Sequence, residues 1–162
     1  MSMVEETEAG AFPPNFHHVL GQFHSMWMMF DVTLDFAIKK LLGINNQQAH
    51  ILCTGMEFGK KLRLVSELLK RGDVANGQEL ASAVKILQSA RRDALTHGYI
   101  ASNSTHVTFI YRNRGTYSVD KVEFSIDEFE EHVAKMVKAT IQFQKAIAPD
   151  VNQLGEFAIS AG

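Results

Sequence analysis

Phe16, Leu20, Phe23, Trp27, Phe30, Leu34, Ala37 and Leu41 succeed one another by steps of four and three in strict alternation. No strand sustains that spacing, and it puts every one of these side chains on a single seam of a long helix in a left-handed bundle. Pro13-Pro14 stops any earlier structure, Asn15 can cap the helix after it, and Gly43 ends the run. Val19, Met26, Met28, Met29 and Phe36 carry the apolar surface well beyond the seam. A helix apolar on more than one face needs more than one neighbour, either another helix of the chain or a second subunit. A homodimer is the expectation, with the same patch used on both copies. The methionine group reads as core or dimer filling rather than as an adaptable binding surface.

The same three-and-four stepping recurs further on. Asn45 with Gln48 can box the start of a second helix, whose seam is Ile51, Gly55, Phe58, Leu62, Val65 and Leu69. Gly55 and Gly59 beside that seam read as close packing. Glu57 with Lys61 and Glu67 with Arg71 read as solvated ion pairs one turn apart. Arg71-Gly72-Asp73 closes this helix, and Asn76 with Glu79 opens a third that buries Leu80, Ala83, Val84, Leu87, Ala90 and Ala94. After Ile100 the period drops to two: Val107, Phe109 and Tyr111 alternate with Thr108, Ile110 and Arg112, and Asn113-Arg114-Gly115 supplies a turn. Val122 and Phe124 take the opposite parity to Tyr117 and Val119, so a bulge or strand end is expected near Asp120-Lys121. Ser125 to Glu128 is a capping box with Phe124 and Phe129 at the staple positions, and the helix it opens runs on Phe129, Val133, Met136, Thr140, Phe143 and Ile147 to Pro149. The expected fold is therefore mainly α: a four-helix bundle, near 15–43, 46–71, 77–97 and 126–148, with a β-hairpin near 105–124 inserted between the third and fourth long helices. Residues 1–14 read as a mobile acidic lead, 15–148 as the domain, and 149–162 as a tail.

Charge and cysteine usage narrow the function. A net charge of −2 over 162 residues excludes a general nucleic-acid coat, so any RNA contact must be local. The single cysteine, Cys53, cannot form an internal disulfide and sits in a helical stripe as a small hydrophobe. No apolar run is long enough to span a membrane, and Met1 to Gly10 lacks the pattern of a secretory signal. A cytoplasmic location is expected. Neither a cofactor motif nor metal spacing is present beyond the loose set His24, Asp31 and Asp35.

The chemistry concentrates in Ser89-Ala90-Arg91-Arg92-Asp93-Ala94-Leu95-Thr96-His97-Gly98-Tyr99-Ile100. On a continuous helix Asp93 and His97 lie about 40° apart on one flank, Arg92 lies about 140° from His97, and Arg91 points closer to the apolar face. Gly98 sits where a left-handed residue would end the helix. Histidine suits proton transfer near neutral pH, and arginine suits phosphate through a permanent charge and a planar fork of donors. Asp93 is suited to orienting either the imidazole or the guanidinium. One histidine per chain gives one proton handler, and two facing chains give the pair that RNA cleavage through its own 2′-OH requires.

The string Arg92-Asp93-Ala94-Leu95-Thr96-His97-Gly98 resembles the Arg-polar-x-x-x-His signature of HEPN domains, and the order of elements from Asn15 to Ile147 is similar to theirs. Where the family often has Asn after the arginine, this chain has Asp93. The resemblance implies a metal-independent endoribonuclease with Arg92, Asp93 and His97 at a site shared by two copies. It equally implies the family's non-catalytic forms, which bind RNA, a nucleotide or a partner protein such as an antitoxin. A helical dimer in which the string only caps a helix is the third reading. Arg91, Tyr99, Arg112 and Arg114 are candidates for gripping single-stranded RNA; the plainer alternative is a hairpin with packed aromatics and a solvated basic tip.

Overall fold

The expected first helix forms without a break, as α1 (Phe16–Leu42), in a computed structural model that describes residues 11–113 and 115–160. It is followed along the chain by α2 (Asn46–Cys53), α3 (Phe58–Arg71), α4 (Gly77–Leu87), α5 (Arg92–His97), β1 (Tyr99–Ser102), β2 (His106–Arg112), β3 (Val119–Ser125), α6 (Ile126–Ile147) and α7 (Asn152–Ile159). The fold is mainly helical with one antiparallel sheet, in the order β1-β2-β3. The chain divides into two compact units. The first comprises Met1–His24 and Ala90–Ala134, the second Ser25–Ser89 and Lys135–Gly162.

Two of the four expected long helices are interrupted. The stretch near 46–71 breaks at Gly55, whose φ of +79 only a glycine adopts without strain. Thr54 ends α2 by turning its own N–H back to the His50 carbonyl at 2.9 Å. Gly55 is therefore a hinge of the backbone and not part of a seam, and Ile51 is 72% exposed rather than buried. The stretch near 77–97 breaks after Leu87. Ser89 Oγ donates to the Ile86 carbonyl at 2.6 Å, offering the backbone an alternative to the helical ladder. Arg91 then adopts a left-handed conformation, φ 56 and ψ 34, at a cost of about 1–2 kcal/mol for a side chain with a Cβ. Asn76 is also left-handed and makes no cap; its amide donates to the Ala146 carbonyl at 3.4 Å.

In the first unit, an aromatic core ties the helix ends to the sheet. Phe16 of α1 lies 6.3 Å from Phe109 of β2 and 5.7 Å from Phe129 of α6, ring centre to ring centre. Phe124 completes the cluster at 5.4 Å from Phe129, the staple contact expected beside a capping box in which Ser125 and Glu128 exchange bonds of 2.8 and 3.2 Å. The hairpin is longer than a pair: β1, which the sequence did not announce, adds to β2. Of the two alternatives expected near Asp120-Lys121, the strand end is what forms, since β3 begins at Val119, and no bulge does. Pairing runs unslipped from His106↔Ser125 to Arg112↔Val119, because Val119 faces outward, 51% exposed, and Tyr117 lies in the turn. The lead is described only from Ala11, whose carbonyl accepts from Ser102 Oγ at 2.8 Å; the mobile segment expected before it lies outside the described residues.

The second unit is built on Trp27, Phe30, Phe58 and Phe143, with Trp27 and Phe58 4.6 Å apart and Phe30 and Phe143 5.3 Å apart. The tail contributes α7, whose buried Phe157 stacks on His50 at 4.4 Å. Met26 is buried, but Met28 and Met29 are 75% and 67% exposed and fill no core of this chain. Lys61 departs most from expectation. It is not a surface partner of Glu57: it is 5% exposed, with its ammonium 3.1 Å from Asp31 and 2.8 Å from Asp35. Burial alone would lower its pKa, but the hydrogen bonds and charges of Asp35 and Asp31 outweigh that and raise it. Burial first, and then Asp35, push the neighbouring Cys53 thiol up to about 12, so it is no thiolate nucleophile near neutral pH.

Removing Lys61 leaves Asp35 nearly buried beside Cys53 with no counter-charge. We predict that Lys61→Met costs about 3 kcal/mol in urea denaturation, near the low end for a broken buried pair because Asp31 keeps access to water. Adding Asp35→Asn should recover part of the loss. A Lys61→Met protein as stable as wild type would mean that the cluster contributes nothing.

Candidate functional site

The site is one short helix, α5, held inside the first unit. Two histidines from different long helices bracket it. His132 of α6 donates from Nε2 to the Ala90 carbonyl at 3.0 Å, just before the left-handed Arg91. His24 of α1 donates from Nε2 to the Leu95 carbonyl at 3.2 Å, one turn further along. The carbonyl acceptors fix both rings with the proton on Nε2. Ala94 and Leu95 are buried beneath the helix, and Leu95 N–H closes onto the Arg91 carbonyl at 3.1 Å. The strain at Arg91 is thus opposed by packing and hydrogen bonds on both sides, the circumstance in which strained backbone persists at functional sites.

On this frame the three motif side chains are differently placed. Arg92 is half-buried, with Nη1 donating to Asp93 Oδ1 at 3.1 Å. The side chains are 31% and 62% exposed, so the pair orients the guanidinium more than it stabilises the fold. Of the two roles open to Asp93, the structure thus shows the one toward the arginine. The His97 side chain is exposed in the last turn of α5 and takes part in no hydrogen bond or ion pair among the described residues. Along α5 the two ends are separated by about 7.5 Å of rise and about 140° of rotation. Within one copy only the long arginine stem could bring the guanidinium round toward His97.

Gly98 joins the site to the sheet, for a reason other than the one expected. Its φ is −72 and ψ 151, extended and not left-handed. Glycine is needed there because a Cβ would lie 2.2 Å from the Ala94 carbonyl oxygen and 3.3 Å from that of Ile110. Its N–H donates to Ala94 at 2.8 Å, and the chain runs directly into β1.

The remaining expected residues are mixed. Arg91 is exposed in its left-handed turn rather than pointing to the apolar face, because the helix breaks before it. Tyr99 is 73% exposed at the start of β1, and Arg112 is exposed at the end of β2. Arg114 lies outside the described residues. Sequence reasoning missed His24 and His132 as the brackets of α5. Each lies on the flank of its helix's apolar seam, one beside Phe23 and the other three residues after Phe129, and that was the available signal. Among the described residues no group of three His, Cys, Asp or Glu side chains could hold a metal ion, and no helix is long and apolar enough to cross a membrane. Asp31 and Asp35 bind Lys61, and His24 binds a carbonyl.

No protein-family model, curated protein or solved structure matches this chain.

Gly98→Ala forces the Ala94 carbonyl away and should destabilise the protein by about 1–3 kcal/mol in urea denaturation, in the range of an overpacked core. Arg91→Gly should do the reverse, gaining up to about 1 kcal/mol by relieving the left-handed turn. If Gly98→Ala were neutral, the junction between α5 and β1 would not be as tight as its geometry implies.

Proposed function

We propose that this chain is a metal-independent endoribonuclease of the HEPN kind, active as a homodimer in the cytoplasm, with α1, α2–α3, α4 and α6 as the members of a four-helix bundle. The observation that carries the reading is an exposed, unengaged imidazole, His97, on a short helix held at both ends and shared with an oriented guanidinium, Arg92. The 2′-OH of the substrate attacks the adjacent phosphorus, one His97 takes its proton, and the His97 of the second copy gives a proton to the departing 5′-oxygen. The Arg92 side chains hold the non-bridging oxygens as charge builds on the phosphorane. The products are a 2′,3′-cyclic phosphate and a 5′-OH. The need for two proton handlers is the physical reason for two copies, since each copy supplies one His97, and a two-fold axis can also bring one chain's arginine to the other's histidine. Exposed Met28 and Met29 offer apolar surface for such a contact.

One observation favours the alternative, a module that binds RNA, a nucleotide or an antitoxin-like partner without cutting. Arg92 is already paired with Asp93, and an incoming phosphate must compete with that carboxylate.

The test is cleavage of a labelled RNA in the presence of chelator. Activity should persist, and His97→Ala should lose about 10²–10⁴-fold, the usual value of a general acid or base. Arg92→Ala should lose about 10²–10³-fold, by analogy with an oxyanion donor. Asp93→Asn should be the mildest of the three, and sedimentation should give a dimer at micromolar concentration. Equal activity in wild type, Arg92→Ala and His97→Ala would discard the ribonuclease reading. Salt-dependent RNA binding without cleavage would favour the module.

A further inference from the structure

We infer that the outer face of the three-stranded sheet is the platform that holds single-stranded RNA, with Tyr99 as its base-stacking ring and Lys121 and Arg112 as its phosphate contacts. The inference rests on the ribonuclease reading for the identity of the strand, and on sheet geometry for the place.

The register fixes which side chains share that face. Tyr99 pairs with Ile110, and Ile110 with Lys121, so the three form one row across β1, β2 and β3. With strands about 4.8 Å apart, Tyr99 and Lys121 stand about 10 Å from each other. Arg112 is two residues beyond Ile110 on the same strand and so on the same face. Burial agrees with the assignment: Phe109, Val107 and Phe124 of the opposite parity form the aromatic core or lie beside it, whereas Tyr99, Lys121 and Arg112 are exposed.

Two features make the face more than a solvated surface. A tyrosine 73% exposed at the start of a strand is not packed against the hairpin, which removes the plainer account of an aromatic at this position. The charges are also polarised along the strands. Lys121 and Arg112 lie toward the end where β1 leaves α5, two residues from His97. The face's carboxylate, Glu123, lies in the next row away from that end, with Oε2 accepting from Thr108 Oγ1 at 3.1 Å. Asp120 takes the other parity, opposite Tyr111. A polyanion is therefore drawn to the end nearest the imidazole and discouraged from the far one. Only Gly98, its N–H bonded to the Ala94 carbonyl at 2.8 Å, separates His97 from Tyr99, so a base stacked on Tyr99 brings the RNA backbone close to His97. Stacking and cation contacts need no sequence readout, so the platform accepts unpaired strands of varied sequence.

Binding can be read without cleavage by fluorescence anisotropy, using the full chain and a labelled single strand made entirely of 2′-O-methyl nucleotides, beside the matching duplex. Wild type should bind the single strand more tightly than the duplex, with affinity falling as salt rises. Tyr99→Leu should weaken binding about ten-fold or more, while Tyr99→Phe keeps it. Lys121→Gln should weaken it and reduce the salt slope by about one contact, and Glu123→Gln should leave it unchanged or tighter. Both strand positions are exposed, and a thermal melt checks that the variants fold. Tyr99→Leu and Lys121→Gln binding as wild type does, or a preference for the duplex, would overturn the platform. So would a wild-type protein that binds no single strand at low salt. Loss of binding in these variants alongside a wild type that cuts no RNA would leave the platform standing and remove the nuclease instead.

Discussion

Two hydrogen bonds, from His132 to the Ala90 carbonyl and from His24 to the Leu95 carbonyl, hold the segment on which the candidate chemistry depends. They matter because α5 is only the stretch Arg92–His97 and comes after a strained Arg91; an isolated helix of that length is far too short to persist in water. The donors stand on α1 and α6, and those helices are fixed to the sheet by the Phe16, Phe109 and Phe129 cluster. The aromatic core, the two imidazoles and α5 thus form one chain of cause. Burial positions the long helices, the helices position the donors, and the donors position a helix that leaves His97 exposed.

The second unit meets a different constraint. Lys61 is buried with Asp31 and Asp35, and such a cluster does little for stability compared with apolar filling of the same volume. Once present it is costly to break. Its geometry engages the acids of α1 that, with His24, made the chain's loosest metal-like set, and burial, then Asp35, hold the Cys53 thiol protonated. Lys61, Asp31, Asp35 and Cys53 are therefore occupied with one another, whereas in the first unit the His97 side chain is exposed.

Long-range pattern was legible in the sequence; local backbone was not. The seam of α1, its end at Gly43, the capping boxes at Asn45 and Ser125 and the Phe124–Phe129 staple all stand as expected. Each is either a repeated apolar spacing or a motif whose partners lie within a few residues. The breaks at Gly55 and after Leu87 were hidden because apolar periodicity continued through them. The second carries neither Gly nor Pro, only Ser89, and the Ala90 carbonyl just beyond it accepts from His132, distant in sequence. β1 was hidden because Tyr99–Ser102 is short and gains its partner only when β2 folds beside it. Lys61 looked like half of a surface pair because its true partners lie a helix away. Arg92, Asp93 and His97 were singled out from their string, but their orientation was not legible, since it follows a break at Arg91 and not a continuous helix.

The central proposal, that the substrate's own 2′-OH is the nucleophile and His97 moves the protons, has a direct test. A single-stranded RNA whose cleavage position carries one 2′-deoxy nucleotide is compared with the all-ribose strand, and product ends are assigned by mass spectrometry. The all-ribose strand should be cut to a 2′,3′-cyclic phosphate and a 5′-OH, and the deoxy position should not be cut. Cleavage at the deoxy position, or products ending in a 3′-OH and a 5′-phosphate, would contradict it.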